Sequence, residues 1–199
     1  LFWAKTNGKR NQQNFKKIVM INCKMILDFW FKECTPKMWF KKNKEFDNLI
    51  KNRFQKILEF CLENKINNDH FTKEDYLSWI IVLDQFSRNI YRNQIRSFAG
   101  DKKALKLSKI VIKKSFLKLN EDNYNSFFLM PFMHSEKLSD HEFSLPLFKK
   151  YTNEKTYNSA ERHKKVIETF SRFPHRNKIL NRKSTKLELE FLKLPGSRF

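Results

Sequence analysis

The side chains able to do chemistry gather in three short segments of this sequence. The first runs from Leu83 to Arg92 as LDQFSRNIYR. On a helix, Asp84 and Arg88 lie four residues apart and share a face, with Arg92 near its edge. That face continues towards the N-terminus as Leu77, Ile80 and Ile81, so the charged pair extends an apolar surface. A charge there is costly unless it is paired and hydrogen-bonded. An internal salt bridge locking two helices would account for the pair. So would two anion-binding guanidinium forks, Arg88 and Arg92, beside a pocket, with Asn89 and Arg96 close by.

The second segment is MPFMHSE, residues 130–136. Pro131 is expected to break the preceding helix and to deliver His134 and Glu136 on the turn that follows. A histidine and a carboxylate two residues apart can act as a general base and its orienting partner. His134 or Ser135 can equally serve only to cap the next segment. The third segment joins His163 to SRFPHRN, residues 171–177. Pro174 fixes a turn on which Arg172, His175, Arg176 and Asn177 crowd together. That density suits a binding loop better than a plain connector, although Asn177 can also cap a following helix.

The distribution of arginine ties the three segments together. The chain holds 31 lysines and only 10 arginines, yet six of those arginines fall at 88, 92, 96, 162, 172 and 176. Lysine suffices for solvation, whereas a planar fork is needed to grip a carboxylate, a phosphate or a stacked ring. Catalytic roles are therefore assigned to His134, Glu136, His163 and His175, and ligand-binding roles to Asp84, Arg88, Asn89, Arg92, Arg172, Arg176 and Asn177. The three histidines with Glu136 or Asp84 supply nitrogens and an oxygen suited to a metal. There is no HExxH and no histidine pair at i, i+4, so no metal is assigned. Serine-nucleophile and phosphate-loop motifs are absent, and no motif specifies a cofactor.

The elements that must position these residues are helical throughout. Residues 25–34 form a short apolar segment, and Thr35-Pro36 opens a helix with proline in its first turn. From Lys44 to Asn64, Phe46, Leu49, Ile50, Phe54, Ile57, Leu58 and Cys61 recur at three- and four-residue spacing. Thr72 to Asp75 forms a capping box that opens the helix carrying the first segment, apolar on nearly every side through Val82. Further helices are expected over 101–119, 123–130, 139–151 and 158–173. Ser139–Glu142 reads as the capping box of the third, with His141 facing solvent. Thr185–Glu188 caps a last helix, closed by Pro195-Gly196. No period-2 run of useful length occurs. The class is all-α, built of helix pairs joined by short turns.

A formal charge of +20 suggests a polyanion partner. The lysines are scattered, however, and the abundance of Lys, Asn and Phe is what an AT-rich coding sequence gives any protein, which argues against a nucleic-acid interface. Residues 1–24 carry six basic groups and no acid, and are expected to lie outside a single all-helical domain spanning 25–199. With no run of ~18 apolar residues, no membrane helix is expected. Cys23, Cys34 and Cys61 share no CxxC spacing, which points to a reducing cytoplasm. Two kinds of partner remain open: a small anionic ligand, or a protein held by a helical scaffold.

LDQFSRNIYR, MPFMHSE and RFPHRN, in this order, together with Trp39-Phe40 and the ending FLKLPGSRF, resemble the bacterial domain-of-unknown-function family numbered 924 over residues 26–199. The resemblance implies stacked antiparallel helical hairpins of the tetratricopeptide-repeat type. It implies no activity. Ser87 stands where that family commonly has proline, and His141 where it commonly has glutamine.

Overall fold

The computed structural model describes residues 23–66 and 68–197. The basic lead therefore falls outside the described residues, apart from Cys23 and Lys24. Those two open the first helix, and Cys23 is buried, accepting a hydrogen bond from Ser78 Oγ.

All regular structure among the described residues is helical. The opening helix is π-wound over α1 (Phe29–Glu33), which buries Phe29 and Trp30. Thr35 and Pro36 start the short α2 (Pro36–Phe40), and Trp39 Nε1 ties it back by donating to the Trp30 carbonyl at 2.9 Å. Asn43 caps α3 (Lys44–Glu63), its side chain accepting from the N–H groups of Glu45 and Phe46. The expected stripe of α3 is buried at Phe46, Ile50, Phe54, Leu58 and Cys61, with Ile57 half-buried, whereas Leu49 is exposed. Fully burying one such side chain contributes roughly 1.5–3 kcal/mol, so this face anchors the helix.

The Thr72–Asp75 capping box opens α4 (Lys73–Ile80). The chain then runs on without a break through a π-wound stretch, Ile81–Phe86, into α5 (Ser87–Ile90). Every residue from Tyr76 to Ser87 is buried, which explains the all-round apolar sequence. After a 3-10 turn, Ile95–Phe98, come α6 (Asp101–Lys113), α7 (Asp122–Met133), α8 (Leu138–Tyr151), α9 (Glu154–Phe170) and α10 (Lys186–Phe191). α6 to α9 pack each on the next in chain order. α3 lies against the π-wound stretch and α5, while α4 lies against α6 and α7. The largest core cluster is aromatic, with Phe54 and Phe86 rings 4.7 Å apart and Trp30 edge-on to Phe127 at 5.6 Å.

Several local expectations are corrected. Pro131 does not stop α7, which continues to Met133. A helix-interior proline costs about 3 kcal/mol, and the burial of Phe132 and Met133 beyond it offsets that loss. Ser139–Glu142 is not a capping box, because α8 already starts at Leu138. The N–H of Lys137 is satisfied by Ser135 Oγ instead. His141 is not solvent-facing but buried, its Nε2–H donating to the Ser135 carbonyl at 2.8 Å. α6 ends at Lys113, six residues early, with Ser115 left-handed at φ 54°. α9 starts at Glu154 behind an Asn153 cap and ends at Phe170, with Ser171 after it left-handed at φ 56°. No helix is long and apolar enough to cross a membrane among the described residues.

Candidate functional site

Asp84 sits in the π-wound stretch. That winding takes the local carbonyls out of the regular i to i+4 ladder, and single π turns recur where proteins place functional groups. Here side chains claim those carbonyls. Ser87 Oγ donates to the Leu83 carbonyl at 2.6 Å, and Arg88 Nη1 donates to the Asp84 carbonyl at 2.9 Å. Gly100 packs directly on the same backbone. A Cβ at position 100 would lie 2.1 Å from the Leu83 oxygen, so only glycine lets the start of α6 come this close. The approach brings Asp101 to Arg88 in a two-pronged pair, Nη1–Oδ1 at 2.8 Å and Nη2–Oδ2 at 3.2 Å.

The Asp84 side chain is 1% exposed and points to the end of α7. His134 Nδ1 lies 2.7 Å from Asp84 Oδ1, and Gln85 Nε2 donates to Oδ2 at 2.5 Å. Burial pushes the Asp84 carboxyl up, but Arg88, 3.3 Å away, and His134 outweigh it and hold the group below its ordinary range. An ionised carboxylate only accepts, so His134 carries its proton on Nδ1 and the lone pair on Nε2. Burial, reinforced by Arg88 and opposed by Asp84, keeps the His134 imidazole below its usual pKa. It is therefore neutral at neutral pH, the state of a base. His163 stands beside it with ring centroids 6.3 Å apart, and its Nδ1–H donates to the Ser159 carbonyl at 2.7 Å. Burial pushes His163 well below its ordinary pKa.

The 171–182 loop supplies the remaining groups. Glu136 fastens it, accepting from the Phe173 N–H at 2.9 Å and from both ends of the Arg182 fork at 2.7 and 3.0 Å. Arg182 Nε also donates to Asn177 Oδ1, and Asn177 Nδ2 donates to Ser184 Oγ. Arg172 grips Glu188 at 2.6 and 2.8 Å, which ties the loop to α10. On this frame a 3-10 turn, Pro174–Arg176, presents His175 and Arg176. Burial and the neighbouring Arg176 charge push His175 down to about 3.

Arg176 is 7% exposed and is not neutralised at hydrogen-bond distance. Its nearest carboxylate is Asp101 at 3.8 Å, already engaged by Arg88. Its Nε is buried without a hydrogen-bond partner. The guanidinium is held instead between rings, 4.5 Å from the Phe173 centroid and 4.9 Å from that of Phe98. Burial and the Arg88 charge lower its pKa to about 10.

These groups face a cavity of about 1070 Å³. Arg88, Arg92, His134, His163, His175 and Arg176 line it. Asp84, Asn89, Glu136, Arg172 and Asn177 do not. Asp84 lies behind His134. Asn89 and Arg92 both bind Asp47 of α3, Arg92 through Nε at 2.5 Å and Nη2 at 2.6 Å. Arg96 pairs with Glu59, outside the lining. No aspartate or glutamate is among the lining residues, while Lys42 and Lys178 add two further cations. No group of three or more His, Cys, Asp or Glu among the described residues has metal-holding geometry.

Sequence reasoning missed Asp101, Phe98, Lys42 and Arg182. Arg182 carried the same signal as the six arginines singled out, being an arginine in a lysine-rich chain. Asp101 looked like part of a helix start, and only the close approach at Gly100 makes it a partner of Arg88.

Three comparisons place the chain. The family model described as bacterial protein of unknown function (DUF924) matches residues 26–196. A solved structure of a protein of unknown function from Agrobacterium tumefaciens is 30% identical with a TM-score of 0.72, covering 86% of this chain and 96% of that one. A search of curated proteins found no match. With the family model spanning nearly all of the described helices, the chain belongs to the DUF924 family of bacterial proteins of unknown function.

Proposed function

We propose that the cavity binds a small anionic ligand, held by Arg176 and Arg88, with the Asp84–His134 pair as its proton-transfer group. The observation that carries this reading is the state of Arg176. It is a buried guanidinium, stacked between rings with no carboxylate nearer than Asp101 at 3.8 Å, on the wall of a cavity whose lining includes cations and imidazoles and no carboxylate. An arginine kept only for stability is normally matched by a carboxylate, because burying an unmatched charge is unfavourable. An oxyanion entering here would meet donors already fixed in place. His134 offers Nε2 to a proton on the ligand or on an accompanying water, with Asp84 fixing its tautomer.

The test is a thermal shift with inorganic phosphate on the wild type and on Arg176→Met, which keeps an unbranched side chain between the two rings. The wild type is expected to be stabilised by phosphate, and the variant not. Without ligand the variant should melt no lower than the wild type, since the lowered Arg176 pKa means that folding disfavours its charge. Equal phosphate shifts in the two proteins would refute the reading.

A scaffold role has less behind it. The carboxylate partners of Arg88, Arg92 and Arg172 would suit it, but Arg176 would then be an unexplained cost.

A further inference from the structure

We infer that the ligand is an amphiphile, an oxyanion head joined to an extended apolar body, rather than a compact polar ion. This rests on the anion reading above and adds the other half of the molecule. The cavity, at about 1070 Å³, is at the top of the range that holds drug-sized ligands, far more room than a bare oxyanion fills. Its lining is mixed. The 174–176 turn, the end of α7, α9 and the residues after the π-wound stretch contribute the guanidinium and imidazole groups, and Ile95, Phe98, Ile179, Leu189 and Leu192 add an apolar share.

Two of those apolar residues are unusual for where they stand. Ile95 is 57% exposed and Leu189 51% exposed, yet both border the cavity rather than lying scattered over the outer surface. Leu189 is also held rigidly. Thr185 caps α10, and Glu188, the residue beside Leu189, is gripped by Arg172 and accepts the Thr185 N–H at 2.7 Å. Apolar side chains and cations lining one cavity are complementary to one chemistry, a charged head with a hydrocarbon or aromatic extension. Phe98 links the two kinds of lining, since its ring borders the cavity and also packs under Arg176.

A free amphiphile and a lipid of an anionic bilayer share this chemistry, and we assign the free one, because the oxyanion donors include Arg176, whose side chain is only 8% exposed. The experiment is calorimetric titration with inorganic phosphate and with butyl, hexyl and octyl phosphate kept monomeric, alongside sedimentation with phosphatidylglycerol vesicles at physiological ionic strength. In the wild type, affinity should rise with chain length by up to about fourfold per methylene, the value of ~0.8 kcal/mol per buried CH2. In Leu189→Asn, which removes the apolar contact without adding charge, that rise should flatten while inorganic phosphate binds as before. Because Leu189 is half exposed, the substitution is compatible with folding, and Ile95→Asn serves as the second variant. In Arg176→Met every phosphate should be lost. Equal affinity of the wild type for phosphate and all alkyl phosphates would overturn the amphiphile and leave the anion site standing. Absence of any phosphate binding to the wild type would overturn both. Vesicle binding without chain-length dependence would also overturn the free amphiphile.

Discussion

Replacing Asp84 by asparagine removes one charge from the most buried charged group of the site and leaves its shape almost intact. The side chain is 1% exposed, accepts from His134 and Gln85, and lies 3.3 Å from Arg88. The amide of the variant would retain an oxygen for the His134 Nδ1–H, while its NH2 would replace the acceptor of Gln85 Nε2, whose amide must turn to present its oxygen, so the loss is the charge together with one rearranged hydrogen bond. Removing one partner of a buried pair costs about 3–5 kcal/mol, and Arg88 keeps its fork to Asp101, which places the expected loss near ~3 kcal/mol. For a domain of this size each kcal/mol moves Tm by about 2–4 °C, so Tm should fall by roughly 6–12 °C. Urea denaturation at neutral pH measures the free energy directly. The pH dependence gives an independent check of sign. The folded pKa of Asp84 is depressed, so its stabilisation is present above the unfolded value of about 3.9 and is lost as pH falls below it. The wild type should therefore lose its advantage over Asp84→Asn progressively as pH falls below about 4. A loss below about 1 kcal/mol at neutral pH, or a gap that widens on acidification, would refute the electrostatic account of this residue.

Two other outcomes follow from the same geometry. His134, His141, His163 and His175 all have pKa values lowered chiefly by burial, so the unfolded chain takes up protons near pH 6.5 before the folded one does. Stability should therefore fall as pH drops below about 6.5, by up to ~1.4 kcal/mol per pH unit for each such histidine, and a flat urea midpoint from about pH 7 to pH 5 would contradict their burial as neutral bases. Gly100→Ala puts a methyl group against the Leu83 carbonyl, where the obstacle is backbone and cannot swing away. At least about 1–3 kcal/mol of destabilisation is expected, together with a shifted Arg88–Asp101 pair and weaker phosphate binding, and wild-type behaviour by both measures would show that α6 does not need this approach.

How much of this was legible beforehand depended on the range of the interaction. The stripe from Phe46 to Cys61 and the Thr72 and Thr185 capping boxes are local, and periodicity or a four-residue motif places them. Asp84 with Arg88 also followed from helical spacing, although the π winding between them has no signature in the residues. Pro131 misled because a local rule met a helix buried on nearly all sides, where packing outweighs a lost hydrogen bond. Glu136 was paired with His134 by proximity in sequence, but its carboxylate turns to the Phe173 N–H and Arg182 instead. Such partners lie 37 and 46 residues away, and no spacing rule reaches them. The same holds for Asp47, which takes Asn89 and Arg92 from another helix.

Of the six arginines singled out, Arg88, Arg92 and Arg176 border the cavity and Arg96, Arg162 and Arg172 do not, and the arginines around the site are of two kinds. Arg92 and Arg172 meet a carboxylate through two nitrogens each, and Arg182 does the same with Glu136. These are fasteners: they hold α5 to α3, α10 to the loop, and the loop to the end of α7. Arg88 and Arg92 also border the cavity, Arg88 while paired with Asp101 and Arg92 while paired with Asp47. Arg176 is the other kind. Stacking between Phe98 and Phe173 fixes its orientation without cancelling its charge, because a ring face attracts a cation weakly compared with a carboxylate. The fasteners thus hold the turn on which a guanidinium with no carboxylate at hydrogen-bond distance is presented. A donor that is desolvated, oriented and still charged needs no rearrangement to receive an oxyanion, and this preorganisation is what distinguishes a binding arginine from a structural one.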